Sequence, residues 1–512
     1  MTSIATNAAS YFVDRHLAEG RGEKLAYVEA GTGRTLSYAQ LAERSDLVAG
    51  AFVAADIRAE ERAAMLILDR IEFPQIFWGA LKCGVLPVPL NTLLTADVYD
   101  VILRDCRASI LFVSQPLWDV VAPVIQDNPY LRQVVIIADE AVAGAKTFDA
   151  FMQSAQPQTT QAAPADAVAF WLYSSGSTGQ PKGVHHVHSS LKATSDSYGA
   201  RVLGIKESDR VLSAAKLFFA YGLGNAMTFP MAVGATTILF SGRPTPTDMI
   251  GAMNTHQPSI FCGVPTLYAA MVAEMDSTGA PDAPLRVCIS AGEALPEDVG
   301  TRWQAHTNVE ILDGVGSTEM LHIFLSNRPG DVVYGTSGLA VPGYDLRLLD
   351  EEGAEVGTGE IGELLVNGAS AAQGYWNQRS KSRATFEGVW TRTGDKYEKR
   401  GDGRFVYCGR TDDMFKVSGI WVSPFEVEQA LASHPAVLEA AVVAGRDAHG
   451  LEKPKAFIVC QGDAPKGLDE TLKAYVKEKI GNWKYPRWIE IVDDLPKTAT
   501  GKIQRFKLRG DA

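Results

Sequence analysis

The sequence lacks the cysteine patterns that mark a zinc-binding or disulfide-bonded protein. The chain has 512 residues and six scattered cysteines, none of them in a CxxC pair: Cys83, Cys106, Cys262, Cys288, Cys408 and Cys460. Structural zinc sites and disulfide frameworks both need cysteines at characteristic spacings. We therefore expect buried free thiols, which are typical of a protein in a reducing cytoplasm.

Long apolar runs and an excess of basic residues are also missing. No run is long enough to cross a bilayer, and residues 1–12 have neither the basic start nor the apolar stretch of a signal peptide. Lys and Arg number 48 against 60 Asp and Glu, so the net charge is −12. General binding to nucleic acids or to anionic membranes requires a basic surface. We expect neither partner, although a local pocket can still hold a small anion.

Low-complexity composition and internal repeats are absent as well. Hydrophobic residues make up 46% of the chain and charged residues 21%, which is typical of globular proteins. This length predicts about two to four domains. Strand-like runs at 63–68, 109–113, 133–138 and 211–215 alternate with helical patterns, which favours an α/β fold rich in parallel strands. The stretch 153–166, rich in Gln, Ala, Pro and Thr, predicts an exposed linker.

The composition changes near residues 401–419, where glycines and charges crowd together. Ser423 then has the features of a helix N-cap, with Pro424 at the first helical position and Glu426 placed to close a capping box. Strands are predicted at 437–444, 455–460 and 488–492, and a helix at 468–480. We therefore predict a large N-terminal domain, residues 1–410, with mixed sheets flanked by helices in several subdomains. A small α+β domain, residues 411–512, follows it.

A loop rich in Ser and Gly carries the clearest chemical signal. Residues 173–183 read YSSGSTGQPKG and follow a predicted strand at 167–172. Glycines let backbone N–H groups approach an anion, hydroxyls add donors and Lys182 adds a charge. The pattern differs from the common P-loop, which has Gly before Lys and Ser or Thr after it. Composition alone leaves a phosphate loop and an ordinary flexible loop equally open.

Two other patterns have weaker claims. Residues 357–362 form a literal GxGxxG, but a polar turn precedes it and a strand follows, the inverse of a dinucleotide-binding site. We therefore reject an NAD-dependent oxidoreductase.

His185, His186 and His188 are close in sequence, but a strand would place them on different faces and no acidic residue or cysteine lies beside them. We expect no metal site there.

Together with the loop at 173–183, four further segments resemble the motifs of adenylate-forming enzymes, in the same order along the chain. This superfamily includes acyl- and aryl-CoA synthetases, peptide-synthetase adenylation domains and beetle luciferases. The four segments are GVGSTE at 314–319, TGD at 393–395, GRTD at 409–412 and PKTATGK at 496–502. Residues 216–225, 319–327, 417–419, 422–424 and 503–509 look like the benzoate–CoA ligase branch.

The resemblance implies an ATP-dependent ligase that joins an aromatic carboxylate to coenzyme A. Such enzymes first form an acyl-adenylate and release pyrophosphate, then form the thioester and release AMP. Benzoate or a close analogue is the expected acid, and a hydroxybenzoate, furoate or an alicyclic or short-chain acid remains the alternative. A luciferase-like oxidase, a peptide-synthetase module and a nonenzymatic AMP sensor are rival hypotheses. Intact Lys182, Glu319, Asp395 and Lys502 speak against the sensor, and no carrier domain follows Lys502.

The matching motif positions also imply roles for individual residues. Glu319 would bind Mg²⁺, and together with Thr178 and Lys502 it forms the expected catalytic set. The phosphates of ATP would contact Ser174, Ser175, Gly176, Ser177, Thr178, Gly179 and Lys182. Adenine would be bordered by Gly292, Glu293, Ala294 and Asp313, and the ribose by Asp395 and Arg410. Gly314, Ser317 and Thr318, in the nucleotide and magnesium segment, would also contact ATP. The aryl group would contact Ala220, Tyr221, Gly316 and His322.

The C-terminal domain is expected to be mobile, as in that superfamily. Asp412 matches the hinge, and Lys502 matches the lysine that is inserted between the carboxylate and the α-phosphate. Val417, Ser418 and Gly419 would approach the pantetheine arm of CoA. The family also suggests a homodimer, and Lys502, in an exposed basic loop, is a candidate substrate for a lysine acetyltransferase, which would remove its charge.

Overall fold

The computed structural model describes residues 7–140, 142–153, 155–175, 181–417, 420–447, 451–481, 484–497 and 503–509. It divides into two compact units, residues 1–346 with 366–392 and residues 347–365 with 393–512. The mixed α/β architecture, large N-terminal and small C-terminal, confirms the predicted fold class. The predicted domain boundary after Arg410 stays a prediction.

The first unit contains two largely parallel sheets whose strands are buried on both faces. The larger runs, in spatial order, through Leu339–Ala340, Ile323–Ser326, Ile311–Gly316, Val287–Ser290, Ile260–Gly263, Arg210–Ser213, Thr236–Leu239, Leu25–Glu29 and Thr35–Ser37. The second runs through Leu86–Pro89, Arg62–Leu66, Ala108–Ser114, Gln133–Ile137 and Lys146–Thr147. Such strands read as continuous apolar runs because helices cover both faces, which explains why the sequence located four of them to within two residues.

The helices of the first unit cover these sheets. The α-helices are Arg15–Ala18, Tyr38–Ala54, Glu72–Lys82, Ala96–Cys106, Trp118–Ile125, Phe148–Met152, His188–Thr194, Ala220–Leu223, Phe229–Val233, Pro246–His256, Pro265–Thr278, Glu297–Thr307 and Arg379–Thr385. Three π-helical turns, Ser10–Asp14, Ser195–Gly199 and Gly224–Thr228, and the 3₁₀ turn Gln115–Leu117 join them. No helix in the described ranges is both long and apolar enough to cross a membrane.

Two smaller sheets carry most of the predicted nucleotide motifs. A three-stranded antiparallel sheet has the order Gly374–Tyr375, Pro181–Val187 and Val168–Ser175. A five-stranded sheet has the order Tyr344–Leu349, Ile361–Gly368, Trp390–Lys399 and Phe386–Glu387, and Phe405–Arg410 also pairs with Trp390–Lys399. The GxGxxG segment, residues 357–362, forms a turn and then enters the strand Ile361–Gly368, and the Gly357 N–H binds the Glu360 carboxylate in that turn. This context agrees with its rejection as a dinucleotide motif.

The second unit contains the C-terminal α+β module. The strands Val437–Arg446, Glu452–Cys460 and Trp488–Ile491 form a sheet covered on one face by the helices Pro424–Ala432 and Leu468–Ile480. A hairpin, Phe415–Val417 with Ile420–Val422, precedes it, and the 3₁₀ turn Arg505–Lys507 follows. Ser423 caps its helix as predicted. Both Glu426 oxygens bind Lys484 Nζ at 2.6 Å, so this carboxylate forms an ion pair where a capping box was expected.

The cysteine and linker predictions can be compared with this fold. All six cysteines are free thiols, five of them buried. Residues 155–164 have no regular secondary structure, as expected for a linker. Their backbone is nevertheless held by hydrogen bonds to the rest of the first unit. The Gln158 N–H binds the Asp46 carbonyl at 3.0 Å, and the Gln161 N–H binds the Lys82 carbonyl at 2.8 Å. The segment therefore docks on two helices.

Gly50 permits this docking, and its substitution gives a test of the packing. A Cβ at Gly50 would lie 1.9 Å from the Gln156 carbonyl oxygen. Gly50→Ala should therefore lower the apparent free energy of unfolding by about 1–3 kcal/mol, the usual cost of overpacking. The matched control is Gly251→Ala, also inside a helix, where the added Cβ meets open space. The control should be neutral or stabilising by up to about 1 kcal/mol. Equal unfolding midpoints for the two variants in thermal melts would contradict the docking.

Candidate active site

The predicted phosphate loop joins the two strands of an antiparallel hairpin. Val168–Ser175 pairs with Pro181–Val187, and Ser174 lies opposite Lys182. Ser174 Oγ is buried and has no hydrogen-bond partner among the described residues. The loop itself, with Gly176, Ser177, Thr178 and Gly179, lies outside the described residues, as does the Ser175 side chain. The unpaired Ser174 hydroxyl therefore lies in the strand before the loop, and the Lys182 ammonium group lies in the strand after it.

Lys182 and Glu319 face each other across a short gap. Lys182 Nζ lies 3.7 Å from Glu319 Oε1, too far for a close ion pair. The Tyr375 hydroxyl donates to the same oxygen at 2.9 Å and accepts from Lys182 Nζ at 3.5 Å. Lys182 Nζ also lies 4.6 Å from the centre of the Tyr375 ring. Tyr375 therefore forms a hydrogen bond with each of the two charged groups. The Glu319 carboxylate and the Lys182 ammonium group can each still bind a ligand.

Backbone bonds hold these three residues together although they are far apart in sequence. Gly374–Tyr375 pairs antiparallel with the strand that carries Lys182, with Tyr375 opposite Val184. The Ala372 N–H binds the Glu319 carbonyl at 2.8 Å, and the Trp376 N–H binds the Gly183 carbonyl at 2.8 Å. Sequence analysis missed Tyr375. The GYW run at 374–376 favours a strand. It does not reveal that the Tyr375 hydroxyl bonds Glu319.

The predicted adenine group clusters at the end of the central strand Ile311–Gly316. The Leu295 N–H donates to Asp313 Oδ2 at 3.4 Å, which brings the segment with Gly292, Glu293 and Ala294 beside this carboxyl. Gly292 has a φ of 100°, a backbone conformation that favours glycine. Gly314 follows Asp313 on the strand, and Ser317 Oγ accepts from the Met320 N–H at 3.2 Å. The structure thus brings residues 292–294 together with Asp313 and Gly314 within the first unit.

Asp313 is a buried carboxyl group with an unusual pKa. The residue is 5% exposed, and Oδ1 has no partner among the described residues. Burial, only partly offset by the Leu295 N–H, raises the pKa of Asp313 from 3.8 to about 8. The raised pKa favours the protonated form of this side chain, which can donate a hydrogen bond as well as accept one.

The predicted aryl group also comes together. The Tyr221 hydroxyl donates to the carbonyls of Gly263 and Ile289, at 3.1 Å each, which fixes its ring. The His322 ring lies 5.7 Å from the Tyr221 ring, centre to centre. A Cβ at Gly316 would lie 2.4 Å from the His322 carbonyl oxygen, so Gly316 is in contact with the same residue. Ala220 begins the helical turn that carries Tyr221.

His322 is neutral in this setting. Burial lowers its pKa from 6.5 to about 3. Its Nε2 lies 3.3 Å from the Tyr221 carbonyl oxygen, which can only accept, so Nε2 carries the proton. Nδ1 is then an acceptor, and it is buried without a partner among the described residues.

The predicted ribose group lies in the second unit. Asp395 is opposite Arg410 on paired strands, and Arg410 NH1 donates to Asp395 Oδ1 and to the Thr393 carbonyl, both at 2.9 Å. Gly394 has a φ of 70°, and a Cβ there would lie 2.7 Å from Arg410 NH2. This TGD turn therefore needs glycine so that the guanidinium group can approach the carboxylate.

The predicted hinge and CoA residues have mixed outcomes. Asp412 is exposed, and its carbonyl accepts from Arg509 NH2 at 2.8 Å. Val417 is 1% exposed and its side chain packs in the apolar core of the second unit, so any CoA contact there involves its backbone. Ser418 and Gly419 lie outside the described residues. These roles remain predictions.

Lys502 also lies outside the described residues, but both stems of its loop are described. Lys497 and Ile503 form an antiparallel bridge, and the Gln504 N–H donates to the Pro496 carbonyl at 2.7 Å. Arg505 forms a two-point ion pair with Glu428, at 2.9 and 2.6 Å. Glu428 in turn accepts from the Val442 N–H at 2.7 Å. The stems are thus anchored to the sheet of this unit.

The three histidines serve structural roles. His185 stacks on Trp171 with ring centres 4.4 Å apart, His186 Nε2 binds the Thr318 carbonyl at 2.8 Å, and His188 Nδ1 accepts from the Ala8 N–H at 3.1 Å. Across the described part of the chain, no cluster of three His, Cys, Asp or Glu side chains has the arrangement of a metal site. A magnesium ion bound to the phosphates of ATP does not need three protein ligands, because one or two carboxylates are enough to hold it.

Two family models match most of the chain. A family model described as AMP-binding enzyme matches residues 14–376. A second, described as AMP-binding enzyme C-terminal domain, matches residues 426–502.

Similar proteins extend over nearly the whole chain. A 4-hydroxybenzoate–CoA/benzoate–CoA ligase of Rhodopseudomonas palustris is 51% identical, over 98% of this chain and 94% of that protein. A benzoate–CoA ligase of Thauera aromatica is 53% identical, over 98% and 95%. The crystal structure of a benzoate CoA ligase from Burkholderia xenovorans LB400 superposes with a TM-score of 0.90 at 47% identity, covering 98% of this chain and 100% of that chain.

Removing the Tyr375 hydroxyl tests how the Lys182–Glu319 pair is held. In Tyr375→Phe, Glu319 loses its donor and Lys182 is free to close on the carboxylate, so a phosphate ligand must first break that ion pair. We expect the Kd for Mg·ATP, measured by calorimetry, to rise by about 3–10-fold, which corresponds to about 1 kcal/mol. The control is Tyr99→Phe, which removes a buried tyrosine hydroxyl bonded to the Asn91 carbonyl. An unchanged Kd in Tyr375→Phe, or an equal rise in both variants, would contradict this role.

The raised pKa of Asp313 predicts a pH-dependent stability difference. The unfolded chain releases this proton near pH 4, whereas the folded chain keeps it until about pH 8. The contribution of Asp313 to stability therefore falls as the pH rises through this window. Asp313→Asn has no such proton. Its apparent free energy of unfolding, relative to the original protein, should increase between pH 4 and 8 and then level off. Parallel urea-unfolding profiles across that range would refute a buried protonated carboxyl group.

Proposed function

The chain belongs to the AMP-binding enzyme family, and from this premise we propose that it is an aromatic carboxylate–CoA ligase that works through an acyl-adenylate. The observation that carries this proposal is the loose ion pair of Lys182 with Glu319, 3.7 Å apart, beside the stems of the phosphate loop. Benzoate is the proposed acid, because the similar proteins from Thauera aromatica and Burkholderia xenovorans are benzoate–CoA ligases. A hydroxybenzoate is the second candidate, given the name of the Rhodopseudomonas palustris protein.

A carboxylate needs activation because oxide is too poor a leaving group for attack by a thiol. In the first step, a carboxylate oxygen attacks the α-phosphorus of ATP and pyrophosphate departs. Negative charge grows on the phosphate oxygens, so catalysis depends on positioned cations and donors. We assign Lys182 and the Ser174 hydroxyl, with Ser175, Gly176, Ser177, Thr178 and Gly179, to the phosphates.

A magnesium ion fits the donors present at Glu319. Oε1 is occupied by the Tyr375 hydroxyl, and Oε2 has no partner within the described residues. A hard cation of this kind takes carboxylate oxygen together with phosphate oxygens. Glu319 would hold it, and when bound it would neutralise charge on the phosphates.

The second half-reaction forms the thioester. The thiol sulfur of CoA attacks the acyl carbon, the bond to the adenylate oxygen breaks, AMP leaves and the thiol proton passes to solvent. We assign the ribose of the adenylate to Asp395 and Arg410, whose ion pair needs the Gly394 turn. Asp412 is proposed as the hinge, and the backbone at 417–419 as the contact with the pantetheine arm.

The remaining assignments are also proposals. Asp313, with residues 292–294, would border the base of ATP, and Gly314, Ser317 and Thr318 would contact ATP as part of the nucleotide and magnesium segment. Ala220, Tyr221, Gly316 and His322 would surround the aryl ring. A homodimer, a cytoplasmic location and acetylation of Lys502 are expectations from the family that are consistent with this function. Acetylation would control activity by removing the charge of Lys502, and full activity after stoichiometric acetylation at Lys502 would refute that control.

Lys502→Ala tests the mechanism by separating its half-reactions. The substitution should lower benzoate-dependent pyrophosphate exchange by at least about 10²–10³-fold, as when one donor to a developing oxyanion is removed. Thioester formation from supplied benzoyl-AMP should persist, since that step does not need this lysine. Lys507→Ala is the matched control, because Lys507 is an exposed lysine close by on the same basic segment. Unimpaired exchange in Lys502→Ala would remove Lys502 from the first step, and absence of AMP release from any aromatic acid would refute the function.

A further inference from the structure

The three-stranded sheet at the stems of the phosphate loop has two faces with different contents. Side chains alternate between the faces along a strand, and residues directly opposite each other on paired strands share a face. Ser174 is opposite Lys182, and Tyr375 is opposite Val184, two positions further along the strand that carries Lys182. Ser174, Lys182 and Tyr375 therefore lie on one face, the front face, which we assign to the phosphates.

The back face of the same sheet carries two aromatic side chains. Tyr173, the neighbour of Ser174, is opposite Gly183. The N–H of Trp376, the neighbour of Tyr375, binds the Gly183 carbonyl at 2.8 Å. A Cβ at Gly183 would lie 3.3 Å from Tyr173 Cζ and 3.4 Å from Trp376 Cβ, so both side chains lie over this glycine. Two segments that are distant in sequence thus meet on the back face.

Asp105 forms a hydrogen bond with each of these aromatic side chains. The Tyr173 hydroxyl donates to Asp105 Oδ2 at 2.5 Å, and Trp376 Nε1 donates to the Asp105 carbonyl at 2.9 Å. Asp105 lies in the last turn of the helix Ala96–Cys106, where carbonyls have no partner within the helix and can accept other donors. One residue therefore connects both segments of the back face to one helix.

Helix stability alone does not account for a carboxylate at this position. A negative charge near the C-terminus of a helix is disfavoured by the helix dipole. Burial also disfavours the charged form and raises the pKa of Asp105, although the hydrogen bond from Tyr173 partly offsets this effect. The bond to Tyr173 is thus the favourable interaction of this carboxylate, and it acts on the strand that leads into the phosphate loop.

We propose that Asp105 is a positioning residue for the phosphate site, which acts from the back face through Tyr173 and Trp376. Its two bonds fix the neighbours of Ser174 and Tyr375, and so hold the front-face groups at a constant spacing. Without the carboxylate, these groups become less ordered and ATP must order them when it binds, which weakens binding. The inference rests on the proposed function, which assigns the phosphates of ATP to the front face.

Substitutions at Asp105 and its partners test this role. Asp105→Ala should raise the calorimetric Kd for Mg·ATP and the KM for ATP by about 3–10-fold, as expected for one lost hydrogen bond, and should leave the KM for benzoate unchanged. Asp105→Asn should restore most of the affinity, because the amide oxygen can accept from Tyr173. Tyr173→Phe should match Asp105→Ala, and the double variant should bind no more weakly than either, since both remove the same bond. Trp376→Phe removes the second bond and should raise the same two constants.

The matched control is Asp100→Ala, on the same helix. Asp100 binds Arg104 at 2.7 Å and has no bond to the sheet among the described residues, so its removal should leave the Kd and both KM values unchanged. Partial misfolding lowers kcat by removing active protein but does not change KM, so the KM for ATP separates positioning from a merely structural effect. If Asp105→Ala does not fold, Tyr173→Phe provides the same comparison.

Three results would overturn the inference. They are an unchanged Kd for Mg·ATP in Asp105→Ala or Tyr173→Phe, an equal rise in Asp100→Ala, and binding by Asp105→Asn as weak as that by Asp105→Ala. Each of these results leaves the ligase function standing. Absence of AMP release with every aromatic acid would instead refute that function, and the calorimetric Kd values, measured without acid, would still test the role of Asp105.

Discussion

The separation of Lys182 from Glu319 is the constraint on which the candidate site depends. A closer ion pair with direct hydrogen bonds would compete more strongly with a phosphate or a cation for both groups. The structure holds the two charges 3.7 Å apart and lets the Tyr375 hydroxyl serve the shared carboxylate oxygen. This arrangement needs three distant segments to meet, and backbone hydrogen bonds between strands and at Ala372 bring them together. The paired strands and these backbone bonds therefore fix the positions of both charges.

Three of the unpaired polar groups of the first unit belong to the candidate site. Ser174 Oγ, Asp313 Oδ1 and His322 Nδ1 are buried without partners among the described residues. Each lies at a position assigned to the phosphates, the base or the aryl ring. Proteins keep such costly groups where a ligand completes them. The net charge of −12 is compatible with ATP and CoA as substrates because binding depends on these local groups.

Sequence reasoning succeeded where a local rule determines the structure. The helix at 468–480 was predicted at its observed bounds, since its apolar stripe and flanking glycines are local signals. Ser423 capped its helix, yet Glu426 paired with Lys484, because a residue 58 positions away competes for the carboxylate. Tyr375 was missed because the partner of its hydroxyl is 56 positions away. Val417 was assigned to CoA from its motif, but packing of the second unit directs its side chain into the core. The motif order therefore predicted which segments form the site, while the contacts between segments required the fold.

The central claim is that the acid is activated by transfer to AMP, and an oxygen-tracing experiment tests it most directly. Benzoate labelled with ¹⁸O in both carboxylate oxygens is incubated with the protein, ATP, Mg²⁺ and CoA, and the products are analysed by mass spectrometry. Attack of the carboxylate on the α-phosphorus predicts one ¹⁸O atom in AMP, none in pyrophosphate and one in the thioester. Label in pyrophosphate or inorganic phosphate, or thioester formation with unlabelled AMP, would contradict the adenylate route.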